Sequence, residues 1–284
     1  MSHQLTSGGL AAVADYLRGS DVVQLGQPLS IGAPRFPAHP PFMYSLTARH
    51  DEDILVHAGQ AAGVSGASDA IAMGTHTGTH MDSLNHCAID GCLHDGTNVL
   101  AEGMQDDARG IRMDQGEGMR PIVAPAVLLD FPAMLGVERV DDELDVTPDL
   151  IGRCCEWAGV EIEAGDVALI RTGWDTLWDD APRFLSRQLP GPTAEAARYL
   201  VERGVVATGS DTMPYERAPG PKPLEVHAIL LVEAGVFIFE CLNMVELSRR
   251  KAYRFLFAVQ PLRITGATGS PVNPVAIVEQ EAAS

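Results

Sequence analysis

The sequence predicts an α/β domain in which helices connect the strands of a sheet. Apolar, β-branched runs of strand length recur along the 284 residues, and turn residues bound each run. In the second half of the chain helical patterns alternate with these runs, which favours parallel pairing through crossover helices. No internal repeat, low-complexity tract or clear linker divides the chain. We therefore expect residues 1–284 to form a single domain.

The strand-like runs have the composition of a pleated, partly buried surface. Valine, isoleucine and aromatic side chains fit such a surface, and they recur in six segments. These are DVVQLGQPL near residue 22, PAVLLDF near 126, DVALIRTGW near 166, GVVATGSD near 204, GVFIFE near 235 and RFLFAVQPL near 254. The segment from about 31 to 70 differs, because it is rich in proline, glycine, serine and alanine. We expect long loops and short strands there, covering a site.

Three segments between the strands carry helix signals. They are TPDLIGRCCEWAG, TAEAARYLVERG and PLEVHAILLVEAG, which end at Gly159, Gly204 and Gly235. In the first, Thr147 is placed to cap the helix and Pro148 occupies the first helical position, where a missing N–H costs nothing. These helices are the expected crossovers.

The overall composition excludes several classes of partner. The formal net charge of −18 disfavours nucleic acid and anionic membranes, because both attract basic surfaces. The five cysteines are an odd number without a CxxC motif, which indicates free thiols in a reducing compartment. No apolar run is long enough to span a bilayer, and the start of the chain lacks the features of a signal peptide. We expect a cytoplasmic protein that acts on a small molecule.

The stretch HTGTHMDSLNH, residues 76–86, concentrates three of the nine histidines. A helix would place His76 and His80 on one face but Asp82 on roughly the opposite side. A strand would separate His76 from Asp82 by about 20 Å. A sharp bend at Gly78 would bring all three together, since glycine accepts backbone conformations closed to other residues.

Two imidazoles and a carboxylate with free coordination positions suit Zn²⁺, Mn²⁺ or Fe²⁺. The alternative is a polar loop whose side chains only hydrogen-bond one another. An HxxxHxD pattern followed at once by another histidine favours the metal site over that alternative.

The same stretch resembles the HxGTHxDxPxH signature of the metal-dependent cyclase-like hydrolases, a family that includes kynurenine formamidases and isatin hydrolases. GVVATGSD, VHAILLVEAGVFIFECLNMVEL and FAVQPLRITGATGSPV resemble further family segments, so that the resemblance covers about residues 22–278. It implies a swivelling β/β/α domain with a mixed central sheet. It also implies a homodimer or homotetramer that hydrolyses an amide, a cyclic amide or a lactone.

The resemblance further implies roles for particular residues. His76, His80 and Asp82 correspond to the first set of metal ligands. His227 and Glu240 correspond to the residues that complete a second metal position. Taken alone, His227 lies in an apolar helical pattern typical of a buried histidine, and the buried carboxylate of Glu240 needs a partner. We expect one or two ions of zinc or manganese per chain.

His86 corresponds to the family's catalytic histidine. An imidazole with a pKa near 6.5 is suited to accept a proton from water and pass it to a leaving group. The alternative is a histidine that only orients a metal ligand. His39 and His94 are candidates for the pocket lining, and Asp211 corresponds to the end of a family strand.

The chain departs from the family pattern at three places. Ser83 and Leu84 stand where a small residue and a proline are usual. TMPYE, residues 212–216, replaces a serine-containing loop, and Asn273 stands where an arginine is frequent. These departures leave the substrate undefined.

Two other functions compete with the hydrolase. His80, Asp82 and His227 could form the two-histidine, one-carboxylate set of a non-haem Fe(II) oxygenase, but His76 and Glu240 would then have no clear role. A binding protein that keeps the fold without catalysis would have no need of the base His86.

Overall fold

The computed structural model describes residues 14, 16–51, 65–114 and 118–280. Within these residues the strands follow one another in the order β1 Ser20–Gln24, β2 Met43–Ala48, β3 Ser68–Ala72, β4 His80–Asp82, β5 Gln105–Asp106, β6 Gly110–Ile111, β7 Ile122–Asp130, β8 Asp145–Val146, β9 Val167–Arg171, β10 Gly191–Pro192, β11 Ala207–Ser210, β12 Phe237–Glu240, β13 Arg254–Val259, β14 Gly269–Pro271 and β15 Val275–Glu279.

The helices of the described residues lie mainly in the second half of the chain. They are α1 Phe131–Leu135, α2 Pro148–Ala158, α3 Ala181–Phe184, α4 Ala194–Glu202, α5 Glu225–His227 and α6 Val245–Arg249. A 3-10 turn covers Trp174–Leu177, and a wider π-helical segment, Ala228–Ala234, continues α5. No helix among the described residues combines the length and apolar character that crossing a membrane would require.

Nine strands form one mixed sheet in the order β1-β15-β13-β7-β9-β11-β12-β4-β14. Its centre, β7-β9-β11-β12, is parallel, whereas the strands on either side pair antiparallel. The expected mixed α/β fold is thus confirmed, and the six predicted strand segments are β1, β7, β9, β11, β12 and β13 of this sheet. Parallel pairing needs crossovers, which α2, α4 and the segment after α5 supply.

Alternate side chains of the central strands point into two cores. On β7, Val127 and Leu129 pack against the helical layer, while Ala126 and Leu128 pack into the core on the other face of the sheet. Because both faces are covered, the second half of β7 is buried throughout. Each fully buried aliphatic side chain contributes about 1.5–3 kcal/mol relative to exposure. This burial fixes where the carboxyl ends of the strands lie.

The predicted helix ends are confirmed. Thr147 caps α2 through a hydrogen bond to its hydroxyl from Leu150 N at 3.3 Å, and Gly159 ends the helix with a φ of +67°. The third predicted helix ends at Gly235 as expected. It differs from a regular helix, because the π-helical turns begin directly after His227. Such wide turns are frequent at functional sites.

The segment from 31 to 70 contains loops and the short strand β2, as predicted. β2 pairs with β3 in an antiparallel ribbon separate from the main sheet. Residues 52–64, within this segment, lie outside the described residues.

Candidate metal centre

The bend predicted at Gly78 is present and directs the first two histidines to one point. Gly78 has a φ of +71°, and an added Cβ would collide with the side chain of Leu29. The strand β4 begins directly after this bend, at His80. A hydrogen bond from His86 N to Ser83 O at 2.9 Å then closes a second turn, so that His86 returns toward His76.

Sheet pairing brings the C-terminal half of the chain to the same place. β4 lies between β12 and β14, and its His80 is paired directly with Glu240. On the other side the backbone of Gly269 passes so close to the ring of His76 that an added Cβ would lie 2.6 Å from Cε1. Only a glycine leaves room there for the imidazole.

The resulting group of six side chains is called the histidine cluster below. It contains His76, His80, Asp82, His86, His227 and Glu240. Ligand atoms of His76, Asp82 and His86 all lie within 4.8 Å of one another, and those of Asp82, His227 and Glu240 do the same. Asp82 is therefore common to both groups. The five predicted ligands and the predicted base are all brought together by the fold.

Individual distances show how His80 links the two groups. His80 Nε2 lies 3.5 Å from Asp82 Oδ1 and 3.5 Å from Glu240 Oε2. Its other ring nitrogen, Nδ1, lies 2.8 Å from Gly78 O, which is the contact of an N–H donor. That contact leaves Nε2 with a lone pair facing the carboxylates, the arrangement used by metal-binding histidines.

The surroundings of the Asp82 carboxylate suit a carboxylate that binds a cation better than one that binds none. Its side chain is only 1% exposed, and neither oxygen receives a well-aligned hydrogen bond from the described residues. His76 Nδ1 lies 2.8 Å from Oδ1, and this contact is one cause of the low pKa of Asp82. A buried carboxylate without hydrogen bonds is costly, and a divalent cation with nitrogen and oxygen ligands would remove that cost.

The electrostatics of the histidine cluster show the same need for positive charge. Burial favours the neutral form of Asp82, yet the surrounding imidazoles, that of His86 first, outweigh it and hold the pKa of Asp82 below its usual range. Burial lowers the pKa of His86 to about 4, against the opposing effect of Asp82. His86 is therefore neutral near pH 7 and has a lone pair to accept a proton.

Residues 215 and 216 complete the surroundings of the second group and were not predicted from the sequence. Tyr215 N donates to Glu240 Oε1 at 2.8 Å. Glu216 Oε1 lies 3.4 Å from His227 Nδ1, and Glu216 Oε2 accepts from Val226 N at 2.7 Å. Burial favours the neutral imidazole of His227, but Glu216 and Glu240 outweigh it and hold its pKa well above the usual value. The only sequence signal was that these residues belong to the TMPYE departure.

The three candidates for substrate binding lie in different surroundings. The His39 ring is 5.3 Å from that of His76, so His39 borders the histidine cluster. His94 is exposed, and its Nδ1 contacts Val232 O at 2.8 Å, near the end of the π-helical segment. Its described contacts do not include the cluster.

Asp211 belongs to a separate buried network at the same edge of the sheet. Its carboxylate accepts from Thr172 N at 2.9 Å and from Asp175 N at 3.3 Å. Arg171 binds Asp175 through two hydrogen bonds, of 2.9 and 3.1 Å, and Asp130 through one of 3.2 Å. We call Asp130, Arg171, Asp175 and Asp211 the aspartate network.

The departures from the family pattern have local structural explanations. Leu84 packs between the two cores, and the turn that carries His86 forms without a proline. Asn273 accepts from Gly26 N at 3.2 Å and donates to Gln24 Oε1 at 2.8 Å, so it ties β1 to the turn before β15.

Comparison with known proteins supports the geometry. Residues 23–217 match the family model described as putative cyclase. The isatin hydrolase of Roseibium aggregatum is 27% identical over 215 residues, covering 72% of this chain and 73% of that protein. The kynurenine formamidase of Bacillus cereus is 24% identical over 259 residues, 91% of this chain and 98% of that protein.

A solved structure shows the same fold. The crystal structure of a protein described as a novel cyclase superposes with a TM-score of 0.81 at 23% identity, over 95% of this chain and 91% of the other. Since the family model covers more than two thirds of the sequence and includes the whole HTGTHMDSLNH motif, this chain belongs to the cyclase family.

Proposed function

We propose that the protein is a metal-dependent hydrolase of a carbon–nitrogen bond in a small amide or cyclic amide, with a lactone as an alternative substrate. The observation that carries this proposal is the buried Asp82 carboxylate, which two groups of ligand atoms share and to which the described residues give no well-aligned hydrogen bond. Relatives named isatin hydrolase and kynurenine formamidase support the same bond type.

In this proposal His76, His80 and Asp82 hold one cation, and Asp82 with His227 and Glu240 holds a second where two are bound. Zinc and manganese both suit these nitrogen and oxygen donors. When bound, such a cation lowers the pKa of water to near 7 and polarises a carbonyl oxygen. The protein contributes the dry, shaped surroundings in which this chemistry occurs.

His86 acts as the general base. Its neutral imidazole takes a proton from the attacking water while the new C–O bond forms. It then gives that proton to the leaving nitrogen as the C–N bond breaks, so that one water is consumed and a carboxylic acid and an amine are produced, the acid then releasing its proton to solvent. His39, at the border of the histidine cluster, lines the substrate side.

The test begins with the metal content of untagged protein after dialysis against metal-free buffer. We expect about one or two equivalents of zinc or manganese per chain, lost in His80→Ala. The loaded protein is then assayed on isatin, an N-formyl arylamine and an aryl lactone. Tightly held iron with oxygen uptake would favour the oxygenase, and no metal even after reloading would overturn the hydrolase.

The role of His86 has its own measurement. Replacing His86 by alanine should lower kcat/KM by about 10²–10⁴-fold, the usual contribution of a positioned acid–base group. The metal content should stay unchanged. A loss of less than about threefold would remove His86 from the mechanism, and a loss of metal would make it a ligand instead.

We also propose that the chain works as a homodimer or homotetramer. The β2–β3 ribbon exposes Met43 by 51%, Tyr44 by 46% and Ile71 by 60%. An isolated two-stranded ribbon is marginally stable in water, so packing on another copy would stabilise it. Light scattering during size-exclusion chromatography should give a multiple of 30.3 kDa, and a monomer at micromolar concentration would contradict this.

A further inference from the structure

We propose that Glu216 is a positioning residue that selects which nitrogen of His227 is free to bind a cation. This inference rests on the proposed function, because it assigns the second cation position to Asp82, His227 and Glu240. It concerns the TMPYE segment, residues 212–216, in which this chain departs from the family pattern.

The two oxygens of Glu216 have different partners on the same helix. Oε2 accepts from Val226 N at 2.7 Å, in the first turn of α5. Oε1 faces His227 Nδ1 at 3.4 Å, on the next residue of that helix. One carboxylate therefore holds both the start of the helix and the ring that the helix carries.

The opposite side of the ring faces the histidine cluster. His227 Nε2 makes a hydrogen bond with Glu240 Oε1 at 3.2 Å and lies 3.6 Å from Asp82 Oδ2. Because a carboxylate only accepts, a cation at Nε2 would take the place of the hydrogen in this bond. A neutral imidazole carries one N–H and one lone pair, so a cation on Nε2 requires the hydrogen on Nδ1.

Glu216 is the acceptor that can stabilise that tautomer. Nδ1 is buried and has no hydrogen bond to any other group of the described residues, so Oε1, at 3.4 Å, is the acceptor within its reach. Glu216 is itself only 7% exposed. A buried acceptor-only carboxylate cannot donate to Nδ1, so it disfavours the tautomer with the hydrogen on Nε2.

A glutamine at this position reverses the preference without changing the size of the side chain. If its oxygen keeps Val226 N, its NH₂ group faces Nδ1 and favours a lone pair there. The hydrogen of His227 then moves to Nε2, where it blocks a cation. Aspartate keeps the charge but is shorter by one methylene.

This contrast separates positioning from simple packing. If Glu216 acts through charge and tautomer, metal affinity follows the order wild type, Glu216→Asp, Glu216→Gln. If Glu216 only fills space and caps α5, the isosteric Glu216→Gln should be the milder change of the two.

The experiment is a calorimetric titration of the chelated, full-length chain with Zn²⁺. His227→Ala first identifies the equivalent that depends on His227. We expect Glu216→Gln to weaken that same equivalent by about 10–100-fold, leaving any other equivalent unchanged. Glu233→Gln, an exposed change on the following π-helical segment, is the matched control and should have wild-type affinity.

A second readout is the ring tautomer itself. Long-range ¹H–¹⁵N correlation spectra of the zinc-loaded chain should show the His227 proton on Nδ1, the signal being assigned by its loss in His227→Ala. In zinc-free chains at a pH high enough for the ring to be neutral, we expect the form with the hydrogen on Nδ1 to be more populated in the wild type than in Glu216→Gln.

Several outcomes would overturn the inference. Wild-type affinity in Glu216→Gln would do so, as would an affinity lower in Glu216→Asp than in Glu216→Gln. If Glu216→Gln does not fold, Glu216→Asp decides, and an affinity equal to wild type overturns the proposal. A wild-type chain that takes up no zinc, manganese or iron would instead overturn the proposed function, and this inference with it.

Discussion

The histidine cluster and the aspartate network are two buried groups of carboxylates at the same edge of the sheet. The parallel strands β7, β9 and β12 end at Asp130, Arg171 and Glu240. The first two of these residues belong to the aspartate network, and Glu240 belongs to the histidine cluster. In the aspartate network a guanidinium supplies positive charge from within the chain. In the histidine cluster no lysine or arginine of the described residues pairs with Asp82 or Glu240.

This difference separates a group with its own positive charge from a group whose ligand atoms are suited to bind a cation. Arg171 hydrogen-bonds Asp130 and Asp175 from within the chain, so that of the aspartate network's oxygens only Asp130 Oδ2 lacks a partner among the described residues, and the Arg171 side chain is only 7% exposed. The histidine cluster leaves the Asp82 oxygens without hydrogen bonds and places imidazoles around them. Functional sites commonly lower stability in this way, because their polar groups face a ligand instead of each other.

The largest effect is expected from removing the positive charge of Arg171 from the aspartate network. Arg171→Met would leave three buried carboxylates without their counter-charge, and breaking a buried pair typically costs about 3–5 kcal/mol of unfolding free energy. Urea unfolding measures this loss. Arg198→Met, which breaks an exposed pair with Glu233, is the control and should cost less than about 1 kcal/mol. Equal losses in the two variants would show that the network needs no guanidinium.

The second largest effect is expected from adding a divalent cation to the chelated protein. A ligand that binds only the folded chain, at a hundredfold excess over its dissociation constant, adds about 2.7 kcal/mol to stability. We expect thermal unfolding of the chelated chain to shift upward with Zn²⁺ or Mn²⁺, and this shift should vanish in Asp82→Asn. A shift that survives in Asp82→Asn would place the binding elsewhere.

The pH dependence of stability should distinguish the two groups by sign. Burial and the neighbouring Asp175 raise the pKa of Asp211 to about 7, whereas an unfolded aspartate has a value near 3.9. The folded chain thus keeps a proton that the unfolded chain has released. The contribution of Asp211 is fully present below about pH 4 and is lost as pH rises through about 7. Asp82, with its lowered pKa, contributes in the opposite direction.

The unfolding free energy should decline between pH 5 and pH 8 in wild type. We expect this decline to be smaller by about 2 kcal/mol in Asp211→Asn. Urea unfolding of metal-free protein at several pH values measures the difference. Asp179→Asn, at an exposed aspartate, is the control. Parallel curves for Asp211→Asn and wild type would show that Asp211 is ionised throughout.

The smallest effect is expected at the centre of the histidine cluster. In metal-free protein at pH 8, Asp82→Asn should lower the unfolding free energy by only about 1 kcal/mol, because burial of the Asp82 charge offsets part of what the surrounding imidazoles contribute. Activity should nevertheless be lost. A loss of stability as large as that of Arg171→Met would mean that Asp82 stabilises the metal-free fold as much as Arg171 does.

The sequence was most informative where local rules decide the structure. Caps and stops such as Thr147 and Gly159 act within a few residues, and the bend at Gly78 follows from the spacing of the histidines around it. The motif predicted three of the clustered side chains for the same reason, since His76, His80 and Asp82 lie within seven residues.

Contacts between segments that are far apart in the sequence could not be predicted from local sequence patterns. Glu216 is an acidic residue in a loop, and nothing in its neighbours shows that it reaches His227 eleven positions later. The aspartate network combines the last residues of β7 and β9, a residue of the 3-10 turn and the residue after β11, so no local pattern showed that Asp211 belongs to it. The hydrophobic pattern predicted a helix after Pro223 but not its π-helical widening.

The pairing of β4 between β12 and β14 has a consequence for biosynthesis. His80 and Glu240 are directly opposed in the sheet although 160 positions separate them in the chain. At about 5–20 residues per second, a ribosome needs roughly 10–30 s to travel that distance. During that interval the HTGTHMDSLNH stretch is present without the strands that will enclose it. The histidine cluster can therefore be completed only late in synthesis, and under the proposed function cation uptake on a translating ribosome would report the final closure of the sheet.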